Sequence, residues 1–200
     1  SGQIPEAPLP TPAPTPAPTE RPLPELGAKL PPIISSAQPA VDITQKVGPS
    51  VVGVIVKMNY VAQSGTSYEQ DYGGGAGIVL TSDGYIVTNY HVVDTYDSLY
   101  AVVNGQEYRA EVIGTDETMD LAVIKIDAVG LTPAYLGDST TVQVGELAVA
   151  IGNPIDPDYS TVTQGIVSAV NREVNVDGQT NNYIQTDASI NPGNSGGALI

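Results

Sequence analysis

Five consecutive residues, Gly193-Asn194-Ser195-Gly196-Gly197, set a hydroxyl among glycines. Without side chains on either flank, a carbonyl compound can approach this backbone closely. The same freedom lets neighbouring N–H groups converge on one point, where each aligned donor is worth roughly 10²–10³ in rate toward an oxyanion. Ser195 is thus a candidate nucleophile. The backbone of Gly193, Asn194 and Ser195 is a candidate oxyanion hole, with the N–H groups of Gly193 and Ser195 converging as donors. A functionless glycine-serine turn has the same composition, so the pentapeptide needs partners elsewhere in the chain.

A serine hydroxyl is activated by a base that titrates near neutrality, and His91 is the sole histidine. Several carboxylates compete to orient it, among them Asp83, Asp94, Asp97, Asp116, Asp120 and Asp127. Asp120 is favoured by place. It directly precedes the apolar run Leu121-Ala122-Val123-Ile124-Lys125-Ile126, where a partly buried carboxylate would accept Nδ1–H of His91 and fix the tautomer. Asp83 reads better as a turn residue and Asp127 as a strand-end charge. The order His91, Asp120, Ser195 is the chymotrypsin type. Ser195 also satisfies G-x-S-x-G, but the hydrolase elbow demands that acid and histidine follow the serine. Five residues follow Ser195 and the histidine lies 104 positions before it, so that reading fails on this chain.

The elements that must position these groups read as strands. Val51 to Met58, Gly77 to Leu80, Tyr85 to Thr88, Leu99 to Val103, Gln106 to Gly114 and Leu121 to Ile126 predict one six-stranded barrel. Glu146 to Ile151, Thr161 to Ala169, Tyr183 to Thr186 and a start at Ala198 predict part of a second. The turn dipeptides Asp83-Gly84, Asn104-Gly105 and Asp177-Gly178 favour antiparallel pairing. His91 is expected to end the strand running from Gly84 to Val93. The one short helix falls at Val41 to Val47, stopped by Gly48 and Pro49. The fold class is therefore all-β: two antiparallel β-barrels, the second truncated, with the site in the crevice between them.

Three segments follow. Residues 1–40 hold 12 of the 17 prolines and form an extended linker; residues 41–130 carry the helix and first barrel; residues 131–200 carry the partial second barrel. Gly73-Gly74-Gly75-Ala76-Gly77 is no phosphate loop, because no Gly-Lys-Ser/Thr follows; it is expected to ease a close strand turn. Asp156-Pro157-Asp158 offers too few carboxylates for calcium.

Composition removes several function classes. With 22 acidic and 7 basic residues, a net charge of −15 disfavours phosphate backbones and anionic membranes, so no nucleic acid is expected as a partner. The absence of cysteine excludes disulfides, a thiol nucleophile and thiolate metal sites, and one histidine excludes a histidine cluster. No metal or cofactor is expected. No apolar run is long enough to cross a membrane as a helix.

Five motifs together resemble the HtrA/Deg serine proteases: Thr88-Asn89-Tyr90-His91-Val92-Val93, Asp120 to Ile126, Ile151-Gly152-Asn153-Pro154, Thr163-Gln164-Gly165-Ile166-Val167-Ser168 and Gln185 to Gly197. The resemblance covers about residues 41–200. It implies a double-barrel endopeptidase acting on unfolded or misfolded polypeptides in extracytoplasmic quality control, usually as a homotrimer. It implies a PDZ domain in a C-terminal part beyond Ile200, and a membrane anchor upstream of the proline-rich linker. Ile190 matches a position lining the primary specificity pocket, where a branched apolar wall favours small aliphatic P1 residues. Asn194 departs from trypsin, whose aspartate there holds a newly cut N-terminus; activation by N-terminal cleavage is not expected. Instead the resemblance implies control by the loops Asn153 to Val162 and Arg172 to Asn182. With the second barrel truncated, the 200 residues alone are expected to be inactive or unstable. Two other classes compete: a polypeptide-binding, chaperone-like module, and a surface β-domain on a proline-rich stalk.

Overall fold

The computed structural model describes residues 38–153, 161–176 and 179–200. The proline-rich segment before residue 38, Asp156-Pro157-Asp158, the Asp177-Gly178 turn and most of the expected control loop at 153–162 lie outside these residues.

Helix α1, Pro39–Val47, opens on proline and buries Ile43. A fixed φ and an absent N–H suit proline to a first helical turn. Six strands follow: β1 (Val51–Val61), β2 (Ser67–Val79), β3 (Tyr85–Thr88), β4 (Ser98–Val103), β5 (Gln106–Asp116) and β6 (Leu121–Ile126). They close into an antiparallel barrel in the order β1-β2-β3-β6-β5-β4. Alternation drives the closure: Val52, Val54 and Val56 of β1 point inward with Val79, Ile86, Leu99, Ala101, Ile124 and Ile126. Each valine, leucine and isoleucine among them gains about 1.5–3 kcal/mol from leaving water. The β4–β5 hairpin turns on Asn104 and Gly105, both at positive φ (51° and 76°), as the dipeptide predicts.

The opposite face of β1 builds the second contact. Val51 packs with Ile43, Ala76, Val149 and Ile151, fastening a second sheet to the outside of the barrel. That sheet comprises β7 (Leu147–Gly152), β8 (Thr161–Val176), β9 (Gln179–Thr186) and β10 (Ala198–Leu199), in the order β10-β7-β8-β9. Among the described residues it is an open four-stranded sheet, not a closed barrel.

Three local expectations differ from the structure. The described residues of the expected control loop Arg172 to Asn182 are not loop but strand, the end of β8 and the start of β9, paired from Arg172↔Tyr183 to Val176↔Gln179. Gly73 to Gly77 do not form a turn; they lie inside β2, paired from Val56↔Gly73 to Val52↔Gly77. A glycine in a strand marks close approach of another backbone, and its missing side chain hides the strand pattern. His91 does not end a strand either. β3 stops at Thr88, and His91 sits in the 3₁₀ turn Tyr90–Val92.

Candidate active site

Strand pairing brings the first two groups together. Thr88 of β3 opposes Ala122 of β6, so residues 89–91 emerge beside Leu121 and Asp120 at the same barrel rim. Asp120 adopts φ +52°, unusual for a residue with a side chain. Its backbone carbonyl accepts Tyr90 N–H at 3.1 Å and Asn89 Nδ2–H at 2.9 Å. Its carboxylate accepts His91 N–H at 2.9 Å through Oδ1, and Oδ2 lies 2.7 Å from His91 Nδ1. An ionised carboxylate only accepts, so Nδ1 carries the hydrogen and Nε2 keeps its lone pair. The two side chains are 54 % and 39 % exposed, which leaves the imidazole open to a substrate. Beside them, Tyr90 donates its hydroxyl to Glu117 at 2.9 Å, which holds the phenol proton above its ordinary pKa.

The serine loop hangs between the two sheets. On its C-terminal side, Ala198 of β10 pairs with Ile151 of β7. Asn194 N–H donates to Asn191 O at 3.1 Å, and Gly197 N–H to Asn194 O at 2.8 Å, so the loop is two successive turns. The peptide between them is bound to the barrel: Ser195 O accepts Ala76 N–H at 2.7 Å, and Gly196 N–H donates to Asn89 Oδ1 at 2.6 Å. Gly196 stands at φ +81°, and a Cβ there would strike Ala76 O and Thr88 Oγ1. Glycine is therefore required at 196 on two separate grounds.

For the oxyanion donors the geometry narrows the set. With its N–H bonded to Asn191, Asn194 is not a free donor. Among the described residues no hydrogen bond occupies the N–H of Gly193 or Ser195. The Asn194 side chain is buried; Nδ2 donates to Ser189 O at 3.4 Å, while Oδ1 has no partner among the described residues. Ile190 is 62 % exposed and lines one cavity of about 320 Å³ with Ile184, Thr186 and Ser195.

Sequence reasoning missed Asn89, which touches both the acid and the serine loop, and Ala76, which touches the serine loop. Ala76 gave no signal, because its backbone N–H makes the bond. Asn89 had one: a polar amide two residues before the only histidine.

A family profile described as a trypsin-like peptidase domain matches residues 75–200, more than half of the chain. The chain is 40 % identical over 179 residues to the serine protease Do-like HtrA of Bacillus subtilis (strain 168), covering 80 % of this chain and 39 % of that protein. It is 48 % identical over 127 residues to the "Probable periplasmic serine endoprotease DegP-like" of Halomonas elongata, covering 63 % of this chain and 26 % of that protein. Among solved structures, the HtrA-type protease AlgW with a decapeptide superposes with a TM-score of 0.70 at 32 % identity, over 80 % of this chain and 55 % of that one. The chain thus spans only part of the length of these relatives. On the profile match, the shared fold and these identities, the chain belongs to the trypsin-like peptidases and, within them, to the HtrA family of serine proteases.

Proposed function

We propose that the full protein is a serine endopeptidase in which Ser195 is the nucleophile, His91 the general base and acid, and Asp120 the group that orients His91. The observation that carries this reading is the 2.7 Å contact between His91 Nδ1 and Asp120 Oδ2, at a rim to which the Ser195 loop is also bound. With Nδ1–H held by Asp120, Nε2 takes the Ser195 proton as Oγ attacks a peptide carbonyl carbon. The resulting oxyanion accepts the N–H groups of Gly193 and Ser195. His91 then protonates the leaving amine, and water releases the acyl group by the same steps in reverse. Ile190 supplies one wall of the P1 site and favours small aliphatic side chains. Because Asn194 is neutral, it cannot hold a charged N-terminus as an aspartate would, so this mechanism does not use zymogen cleavage.

The natural substrates are unfolded or misfolded polypeptides, and the setting is extracytoplasmic quality control. A relative named for the periplasm supports the location; among the described residues no helix is long and apolar enough to cross a membrane. A homotrimer, a PDZ domain and an N-terminal anchor belong to the same reading of the whole protein. Casein degradation by the full-length protein tests it. Hydrolysis abolished by Ser195→Ala is the expected result, and hydrolysis that survives this substitution overturns the assignment.

A further inference from the structure

Resting on the peptidase reading, we infer that Asn89 is a positioning residue that ties the Ser195–Gly196 peptide to the His91–Asp120 pair. One planar amide does both jobs: Nδ2–H donates to Asp120 O at 2.9 Å, and Oδ1 accepts Gly196 N–H at 2.6 Å. These partners lie 31 and 107 residues away in sequence and belong to the rim of the barrel and the serine loop. The two ends of the amide face groups of opposite polarity, so its orientation is fixed.

The bridge acts where the site is least self-supporting. Asp120 stands at positive φ, held there by bonds to its carbonyl from Asn89 and Tyr90 and to its carboxylate from His91. The Ser195–Gly196 peptide has its carbonyl bonded to Ala76 N–H and its N–H bonded to Asn89. Asn89 is the side chain common to both halves. Aspartate at 89 keeps an acceptor for Gly196 but loses the donor to Asp120; leucine keeps neither. Glutamine is one methylene too long for the same span.

A displacement of about 1 Å at a reacting group costs on the order of 10²-fold in rate. The full-length parent, Asn89→Leu and Asn89→Asp are each treated with a fluorophosphonate probe over a range of concentrations. For Asn89→Leu the maximal labelling rate is expected to fall about 10- to 100-fold, with the half-saturating concentration within about twofold of the parent. Amide hydrogen exchange at Gly196 is expected to be slow in the parent and in Asn89→Asp, and fast in Asn89→Leu. Asn89→Asp is expected to label more slowly than the parent despite its protected Gly196. If Asn89→Leu fails to fold, the Asn89→Asp pair of readings decides: a parental labelling rate overturns the bridge. A folded Asn89→Leu that labels at the parental rate, or leaves Gly196 exchange unchanged, also overturns it while the peptidase reading stands. A folded parent that never labels removes both.

Discussion

The backbone carbonyl of Ser195 accepts the N–H of Ala76 at 2.7 Å, so a strand of the closed barrel holds the candidate nucleophile of the other sheet. This bond runs through the glycine-rich part of β2. The Ser195–Gly196 peptide, the imidazole and the carboxylate are therefore all tied to one barrel, although Ser195 enters from the second sheet.

Gly75→Ala tests that contact. A Cβ at 75 would stand 2.5 Å from Ser195 O and 3.1 Å from Val92 Cγ2. Backbone must move, and the serine loop moves with it. Casein hydrolysis by the full-length variant is expected to fall about 10- to 100-fold, on the scale of a 1 Å misplacement. Unchanged hydrolysis would show that the β2 contact does not position Ser195.

Ile124→Ala separates stability from chemistry. Ile124 is fully buried in the barrel, on the strand that follows Asp120. Removing it should cost about 2–5 kcal/mol, read by urea denaturation. By contrast, exposed Ile190 should tolerate alanine within about 0.5 kcal/mol.

Ile190→Gly should act on selectivity instead. Opening that wall of the cavity shared with Ser195 is expected to raise cleavage after larger P1 residues relative to valine or alanine. Profiling with a peptide library reads the change, and an unaltered P1 preference would remove Ile190 from the pocket.

Lys57 gives a prediction with a sign in pH. Its Nζ lies 2.7 Å from Glu107 Oε2, 3.6 Å from Asp71 Oδ1 and 4.7 Å from the centre of the Tyr100 ring. The hydrogen bond to Glu107, foremost, raises the lysine pKa above its ordinary value of 10.5 against the opposing effect of burial. A raised pKa in the folded state stabilises the fold below the unfolded value, and that contribution is lost as pH climbs through the folded value. Lys57→Met should cost roughly 1 kcal/mol or less at pH 7, a difference that disappears above the folded pKa. A stability gap that widens with rising pH would contradict the pairing.

Much of the barrel was legible because its signals are local. Alternating valines in β1 and the Asn104-Gly105 turn need only neighbours in sequence to be read. The first half of β2 was hidden, since Ser67 to Tyr72 is polar and exposed, and the glycines beyond it have no side chains to alternate. The 3₁₀ turn at His91 was hidden too, because Tyr90 to Val93 continues the apolar look of β3. Within the site, the motif residues could be named from order and flanking pattern. The ties among them could not: Asn89 to Gly196 and Ala76 to Ser195 join segments more than a hundred residues apart, and one of these bonds uses backbone alone.

In the proposed mechanism Ser195 is a nucleophile made reactive by His91 and Asp120. The most direct measurement is mass-spectrometric mapping of a fluorophosphonate adduct on the full-length protein, with the labelling rate followed in Asp120→Asn. An adduct on Ser195 is expected, with a rate lower by as much as about 10⁴-fold when Asp120 can no longer hold the tautomer. An adduct on another residue, or a labelling rate indifferent to Asp120, would contradict that mechanism.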